Sequence, residues 1–181
     1  MTGSEIPRPG ASPGAEPSAL SSAWQAWAAD LAARITALAD GGALTVTFPR
    51  HTRQGVKRPA RLFGLIPPSY ADVVPTLTLT RSEDHLHGTF TGSESIGGLL
   101  PTSPEEDAAL EAATWRNPGH SLERVWLRYW PDDVALQPYL SAADTHRAVE
   151  VVLDTAAVFG ITDPADVTAD VTADVTVEGI G

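Results

Sequence analysis

The sequence predicts an α+β fold, an antiparallel sheet of about five strands with helices packed on it, in the order α-β-β-β-β-α-β-α. Stretches with apolar residues at three- and four-residue steps indicate helices, and short alternating stretches bounded by turn residues indicate strands. The 181 residues are 43% hydrophobic and 19% charged, which suits one domain with a substantial core. We therefore expect a single domain over residues 21–166, with an arm before it and a tail after it.

The arm, residues 1–20, consists mainly of Pro, Gly, Ser, Ala and Glu. We expect it to be disordered, because it offers almost no apolar surface to bury. A helix then begins after a cap at Ser21 or Ser22 and ends at Gly41-Gly42. Its apolar residues recur at helical spacing and predict a buried stripe, made of Trp24, Trp27, Leu31, Ile35 and Leu38.

Four short strands follow, separated by turn-forming residues such as Pro67-Pro68 and Gly92-Ser93. They are predicted at residues 43–48, 60–66, 75–80 and 85–91. Residues 50–59, between the first two, are predicted to form a polar loop. We expect the four strands to pair as an antiparallel meander.

The second half contains two more helices. Ser103-Pro104-Glu105-Glu106 combines a capping box with a proline at the first helical position, which predicts a helix over residues 104–115. A strand at 122–130 and a helix at 141–159, closed by Gly160, complete the domain. Asp-Val-Thr-Ala units then run from residue 166 to 176. Valine and threonine favour an edge strand over 167–181, whereas the aspartates favour a frayed acidic tail, and both interpretations stay open.

Charge and cysteine content exclude several functions. Twenty-three acidic and 12 basic residues give a net charge of -11, so we expect neither a nucleic-acid partner nor a membrane partner. The chain has no cysteine, which excludes disulfides, cysteine-ligated zinc, iron–sulfur clusters and thiol nucleophiles. No long apolar stretch predicts a signal peptide or membrane span, so a cytoplasmic location is expected.

No motif indicates catalysis. The glycine pairs lack the spacing and the lysine of a phosphate-binding loop. His85 and His87 lie two residues apart, so on a strand they point to one face and could share a metal with Glu83 or Asp84. A solvated strand face is the favoured interpretation, and we expect no metal and no cofactor. A small ligand-binding domain or enzyme with a polar site near His85 and His87 is the alternative function.

Five of the 12 basic residues cluster in the predicted loop and its edges: Arg50, Arg53, Lys57, Arg58 and Arg61. A solvated loop is one interpretation. The other is a contact with an acidic protein partner or with the acidic tail of this same chain. On that second interpretation Arg53, Lys57 and Arg58 are candidate partner-binding residues.

The predicted strand at 122–130 has two aromatic faces. Val125, Leu127 and Tyr129 alternate with a second set, Trp126, Arg128 and Trp130. We assign the first set to the core, so either a helix of this chain or a partner must cover the second. Because Trp and Arg dominate many protein contacts, we expect Trp126, Arg128 and Trp130 to meet a client protein or a second copy of the chain.

Four segments carry a family resemblance. They are residues 101–106 (Pro-Thr-Ser-Pro-Glu-Glu) with Leu110, Trp115-Arg116-Asn117-Pro118, Arg128-Tyr129-Trp130-Pro131, and residues 149–164, which include Val158-Phe159-Gly160-Ile161 and Asp163-Pro164. Together with the order of elements, they resemble the type III secretion chaperone and YbjN-like group, specifically its actinobacterial branch, the TY-Chap domain family. The resemblance covers about residues 21–166.

This resemblance implies a function that the residues alone do not indicate. It implies a non-enzymatic, chaperone-like module that binds a protein client of unknown identity, with a homodimer as a further form, as in secretion chaperones. The long loop at 50–59 and the Asp-Val-Thr-Ala end have no counterpart in the resemblance.

Overall fold

The computed structural model describes residues 20–58, 65, 67–117, 124–131 and 141–172. Within them lie the helices α1 (Ser22–Ala37), α2 (Pro104–Ala112) and α3 (Ala142–Val158). The strands are β1 (Ala43–Thr47), β2 (Arg53–Arg58), β3 (Ser69–Val73), β4 (Thr76–Ser82), β5 (His85–Phe90), β6 (Trp126–Trp130) and β7 (Thr168–Thr172). The arm predicted to be disordered lies outside the described residues except for Leu20, and the strand predicted at 60–66 lies outside them except for Leu65.

Five of these strands form one antiparallel sheet in the order β6-β5-β4-β1-β7. The other two, β2 and β3, pair with each other as a separate antiparallel hairpin between β1 and β4. The three helices pack on the five-stranded sheet, and α3 contacts both α1 and α2. The predicted α+β class and the antiparallel sheet are confirmed.

The core lies between the helices and one face of the sheet. On β1 and β4 the apolar residues Leu44, Val46, Leu77 and Leu79 are fully buried, and the threonines between them point to the opposite face. This alternation follows from the two-residue period of a strand. From the helices, residues such as Ile35, Leu110 and Val152 complete the same cluster. Within the described residues, no helix is both long and apolar enough to cross a bilayer.

Local capping signals mark several helix ends that the sequence predicts, although α1 ends at Ala37 and not at Gly41-Gly42. The Ser103 hydroxyl accepts from the Glu106 N–H at 3.2 Å, and the Glu106 carboxylate accepts from the Ser103 N–H at 2.8 Å, which is a complete capping box. Gly160 ends α3 with a φ of 67°, a conformation that favours glycine. The helix predicted at 104–115 ends earlier, at Ala112, because Thr114 has a φ of 71°.

The predicted polar loop at 50–59 is wrong. Most of it forms β2, which pairs with β3, a strand that the sequence did not predict. Residues 53–58 read Arg-Gln-Gly-Val-Lys-Arg, a composition that is poor in residues with high β-propensity. The hairpin is stabilised instead by contacts with distant residues, which are described below. The strand predicted at 122–130 is also shorter, because β6 begins at Trp126.

Candidate functional site

The structure contradicts the predicted orientation of β6. Trp126 and Trp130 are only 1% and 0% exposed and belong to the core, and Arg128 between them is 8% exposed. Tyr129, which was assigned to the core, is 45% exposed. The three residues predicted to meet a partner therefore face the helices of this same chain, and the orientation assigned to this strand was wrong.

A glycine on the neighbouring strand makes room for this arrangement. Gly88 of β5 lies opposite Arg128, and a Cβ atom added at Gly88 would come within 2.7 Å of the Trp130 ring. The Arg128 guanidinium carbon lies 5.7 Å from the centre of the Trp130 ring. Gly88 is thus the signal in the sequence that could have identified the buried face, since a glycine inside a strand often marks a close approach by a neighbour.

The opposite face of β5 and β6 carries the two histidines. His87 stacks on Tyr129 with ring centres 4.6 Å apart and an angle of 8° between the planes, and His85 is exposed two residues earlier. In the part of the chain that the structure describes, no cluster of three or more His, Cys, Asp or Glu residues could hold a metal ion. Beside the histidines, this face of β5 and β6 carries Thr89 and the 45% exposed Tyr129.

The predicted basic cluster separates into residues with different surroundings. Arg50 forms an ion pair with Asp166, which is the first residue of the Asp-Val-Thr-Ala units. Asp166 is the last residue of the predicted domain and precedes the predicted tail at 167–181, so a contact of the basic residues with that tail stays a prediction. Lys57 is exposed on β2, only the backbone of Arg58 is described, and Arg61 lies outside the described residues.

Arg53 holds the hairpin against α2. Its guanidinium donates to Glu106 Oε1 at 2.6 Å, to Glu106 Oε2 at 2.8 Å and to the Pro101 carbonyl at 2.6 Å. It also lies 5.1 Å from the centre of the Phe159 ring. The hydrogen bond from Arg53 is the main cause that lowers the pKa of Glu106, and the same bond raises the pKa of Arg53. Arg53 therefore has a structural contact in this fold.

The docked hairpin forms one wall of a surface groove, called here the glycine groove. It has a volume of about 470 Å³ and is lined by Val73, Thr91, Gly92, Gly97, Gly98, Leu99, Arg124 and Val125. Val73 ends β3, the next five residues belong to the loop after β5, and the last two precede β6. Leu99 is 41% exposed at this groove, although its neighbour Leu100 is fully buried.

Glycines let three backbone segments meet around this groove. A Cβ atom at Gly92 would lie 1.7 Å from the Arg124 carbonyl oxygen, and one at Gly55 would lie 1.9 Å from the Leu99 carbonyl oxygen. The loop also closes on itself, because the Leu100 N–H donates to the Gly92 carbonyl at 3.0 Å. Any side chain at Gly92 or Gly55 would separate these segments, so the glycines are required for this packing.

The glycine groove has the chemistry of a site for an apolar side chain next to a peptide backbone. Val73, Leu99 and Val125 supply its apolar surface, and Arg124 supplies one cation. The Arg124 guanidinium donates to the Gly97 carbonyl at 3.3 Å, which shows that it can bind a backbone carbonyl at this place. The sequence contained the signal, Gly92 and the pair Gly97-Gly98, but it did not indicate that the entry to β6 would pack against them.

Two further grooves lie between the helices. They have volumes of about 400 and 410 Å³ and flank α3 on its α2 side and its α1 side. Both are lined mainly by alanine. Asp154 lies at the first, where burial and the nearby charge of Glu150 raise its pKa.

A comparison with models of protein families gives a match over most of the chain. The model of the family TY-Chap3, described as "T3SS (YopN, CesT) and YbjN peptide-binding chaperone 3", matches residues 17–173. No curated protein and no solved structure matches the chain.

Proposed function

Because the chain belongs to the TY-Chap3 family of T3SS and YbjN peptide-binding chaperones, we propose that it is a non-enzymatic module that holds an extended segment of a client protein in the glycine groove. An apolar side chain of the client lies against Leu99 and Val125, and a client carbonyl accepts from Arg124. The observation that carries this proposal is the groove itself, whose apolar lining and single cation suit a peptide.

The size and shape of the groove support a peptide as its occupant. Ligand sites in proteins usually have volumes of about 300–1,000 Å³ and are mostly apolar with a few polar groups that orient the ligand. The glycine groove, at about 470 Å³, lies within this range. Gly97 and Gly98 have no side chain, so a client backbone can approach the loop closely.

The charge of the chain favours a client over a second copy. Each chain carries a net charge of -11, so two copies repel each other at low ionic strength. A client segment with lysine or arginine beside its apolar residues is attracted by the same charge. Lys57, which is exposed on the hairpin, is available to an acidic position of such a client.

Two matched variants test the groove. Leu99→Asp places a charge in the groove, and Leu20→Asp makes the same change at a leucine that is 47% exposed beside α1, against 41% for Leu99. The binding assay uses an array of short overlapping peptides from an unfolded model protein. We expect Leu99→Asp to weaken binding of apolar-basic peptides about tenfold or more, because a desolvated leucine contact is lost and a charge is introduced. Leu20→Asp should bind like the wild type.

Equal binding by both variants would contradict the proposal, provided that their thermal melts match the wild type. Sedimentation equilibrium separates the client from a second copy. A dimer that forms at micromolar concentration and is lost in Leu99→Asp would place a second copy in the groove and would also contradict the proposal.

A further inference from the structure

The sequence of β7 occurs twice in the chain. Residues 166–172 read Asp-Val-Thr-Ala-Asp-Val-Thr, and residues 170–176 read the same seven amino acids. The two copies are offset by four residues. Four is a multiple of the two-residue period of a strand, so a strand shifted by this offset presents the same side chains to the same faces.

The pairing of β7 with β1 shows what such a shift would preserve. In the structure, Thr168, Ala169, Asp170, Val171 and Thr172 lie opposite Thr47, Val46, Thr45, Leu44 and Ala43. After a shift of four, the residues at these positions would be Thr172, Ala173, Asp174, Val175 and Thr176, which are the same five residue types in the same order. Every cross-strand pair would therefore be chemically unchanged.

Three contacts outside the strand ladder are preserved as well. Asp166 pairs with Arg50, and Asp170 would take its place. Val167, which is 7% exposed, would be replaced by Val171. The Thr168 hydroxyl, which contacts the Thr47 hydroxyl, would be replaced by that of Thr172. A shift of two residues preserves none of these contacts, because it exchanges Asp with Thr and Val with Ala.

Little else determines the register of β7. Four of its five side chains are exposed, so few apolar contacts depend on one alignment. The shift adds four residues to the connection after α3, and the entropy of closing a loop rises only slowly with its length. The observed register is favoured by the short turn at Pro164–Asp166, in which the Asp163 carboxylate accepts from the Ala165 N–H at 2.9 Å.

We infer that the edge of β1 is a binding site for two alternative segments of this chain, residues 166–172 and residues 170–176. In the first register, observed here, Thr168–Thr172 pair with β1. In the second, residues 172–176 would take the places of residues 168–172 opposite β1, and residues 166–169 would join the connection after α3. The repeat thus gives β7 two registers whose cross-strand pairs have the same residue types.

Disulfide trapping in the full chain tests this inference, because the wild type has no cysteine. Thr47→Cys with Thr168→Cys reports the observed register. Thr47→Cys with Thr172→Cys reports the shifted register. In the observed register Thr172 lies opposite Ala43, four residues away from Thr47 along β1. Four strand residues span about 13 Å, which is too far for a disulfide, so this pair can cross-link only after the shift. Thr47→Cys with Asp170→Cys is the matched control, because those two positions are two residues out of alignment in both registers.

We expect intramolecular disulfides from the first two pairs, formed more slowly by the second, and none from the control. Non-reducing gels and peptide mass spectrometry measure them. Failure of Thr47→Cys/Thr172→Cys to cross-link while Thr47→Cys/Thr168→Cys does so would overturn the inference. A disulfide of the second pair that joins two chains would overturn it too, because the segment would then pair with a second copy.

A proline substitution distinguishes a disulfide that forms because the strands pair from one that forms by random collision of the two cysteines. The Phe48 N–H donates to the Pro75 carbonyl, so the backbone groups of Phe48 point toward β4. Successive residues of a strand point their backbone N–H and C=O groups to alternate sides, so those of Thr45 point toward β7. Asp170 lies opposite Thr45, and its backbone groups therefore point toward β1. In the shifted register Asp174 takes this position, and Asp174→Pro removes the N–H that it needs.

We expect Asp174→Pro to lower the disulfide yield of the Thr47→Cys/Thr172→Cys variant about tenfold or more, because the shifted strand loses a hydrogen bond of its ladder. The same proline should leave the yield of the Thr47→Cys/Thr168→Cys variant unchanged. A Thr47→Cys/Thr172→Cys disulfide that persists in the presence of the proline would overturn the inference.

Discussion

The two edge strands of the main sheet, β6 and β7, have the same length but are held by different interactions. β6 buries Trp126, Arg128 and Trp130 against the helices. β7 leaves all its side chains exposed except that of Ala169. Its contacts include the ladder with β1, a contact between the Thr47 and Thr168 hydroxyls and a hydrogen bond of 2.8 Å from Arg34 to the Ala169 carbonyl, and the Arg50–Asp166 ion pair lies just before the strand.

This difference shows two ways in which the register of an edge strand can be determined. In β6, a shift by one residue would place the tryptophans in solvent, and a shift by two would move the Trp130 ring away from the space above Gly88. Side-chain packing therefore selects one register. In β7, backbone pairing supplies most of the contact, and a sequence that repeats every four residues cannot distinguish two of its registers. The predictions below test this contrast, from the largest expected effect to the smallest.

Trp130→Ala should have the largest effect. We expect a loss of about 3–5 kcal/mol in the free energy of unfolding, because a fully buried aromatic ring is removed and a cavity remains. Chemical denaturation measures it. Trp130→Phe is the control and should lose much less, since no residue in the described part of the chain accepts a hydrogen bond from the Trp130 indole N–H. A mutant of near wild-type stability would show that β6 is not held by this side chain.

Gly88→Ala tests the same packing from the neighbouring strand. The added methyl would lie 2.7 and 3.0 Å from two carbons of the Trp130 ring, so we expect a loss of about 1–3 kcal/mol from overpacking. Gly88→Ala in the Trp130→Ala background should cost less than in the wild type, because the ring that it meets is absent. Additive losses in this double-mutant cycle would contradict the contact.

Glu106→Gln tests a third kind of attachment, the ion pair between Arg53 and Glu106 that holds the β2–β3 hairpin against α2. Glutamine keeps the helix cap but removes the charge that pairs with Arg53, so we expect a loss of about 1–2 kcal/mol at neutral pH. The pKa of Glu106 is lowered in the folded state from its ordinary value of 4.5, so its stabilisation is present above that value and is lost as the pH falls through the lowered pKa.

Unfolding curves at several pH values measure this effect. The stability difference between the wild type and Glu106→Gln should be largest near neutrality and should shrink below about pH 4. A stability difference that does not depend on pH would show that Glu106 does not stabilise the fold through its carboxylate charge.

Val171→Ala should have the smallest effect. Val171 is 52% exposed on β7, so we expect a change of about 0.5 kcal/mol or less in the free energy of unfolding. The difference between the losses of unfolding free energy in Trp130→Ala and Val171→Ala measures how differently the side chains of β6 and β7 contribute to stability. A loss above about 2 kcal/mol would mean that β7 is anchored by its side chains, and it would remove the contrast between the two strands.

The sequence by itself determined the elements whose signals are local. The cap at Ser103 started α2, Gly160 ended α3, and the alternation in β4 and β5 marked two strands correctly, because each signal depends on a few neighbouring residues. It also determined the class of fold, since the order of helices and strands leaves few ways of covering one sheet face. The family segments are local as well, and the family match to residues 17–173 agrees with them.

Only the tertiary structure decided which face of β6 is buried, that residues 53–58 form a strand, and where the glycine groove lies. Both faces of β6 are apolar, so alternation could not choose between them, and the choice depended on Gly88 of another strand. The hairpin is stabilised by the contact of Arg53 with Glu106, which is 53 residues away. The groove requires Leu99 and Val125 to meet across separate segments. These features arise from packing between distant residues, and the local sequence pattern carries no information about which distant residues will meet.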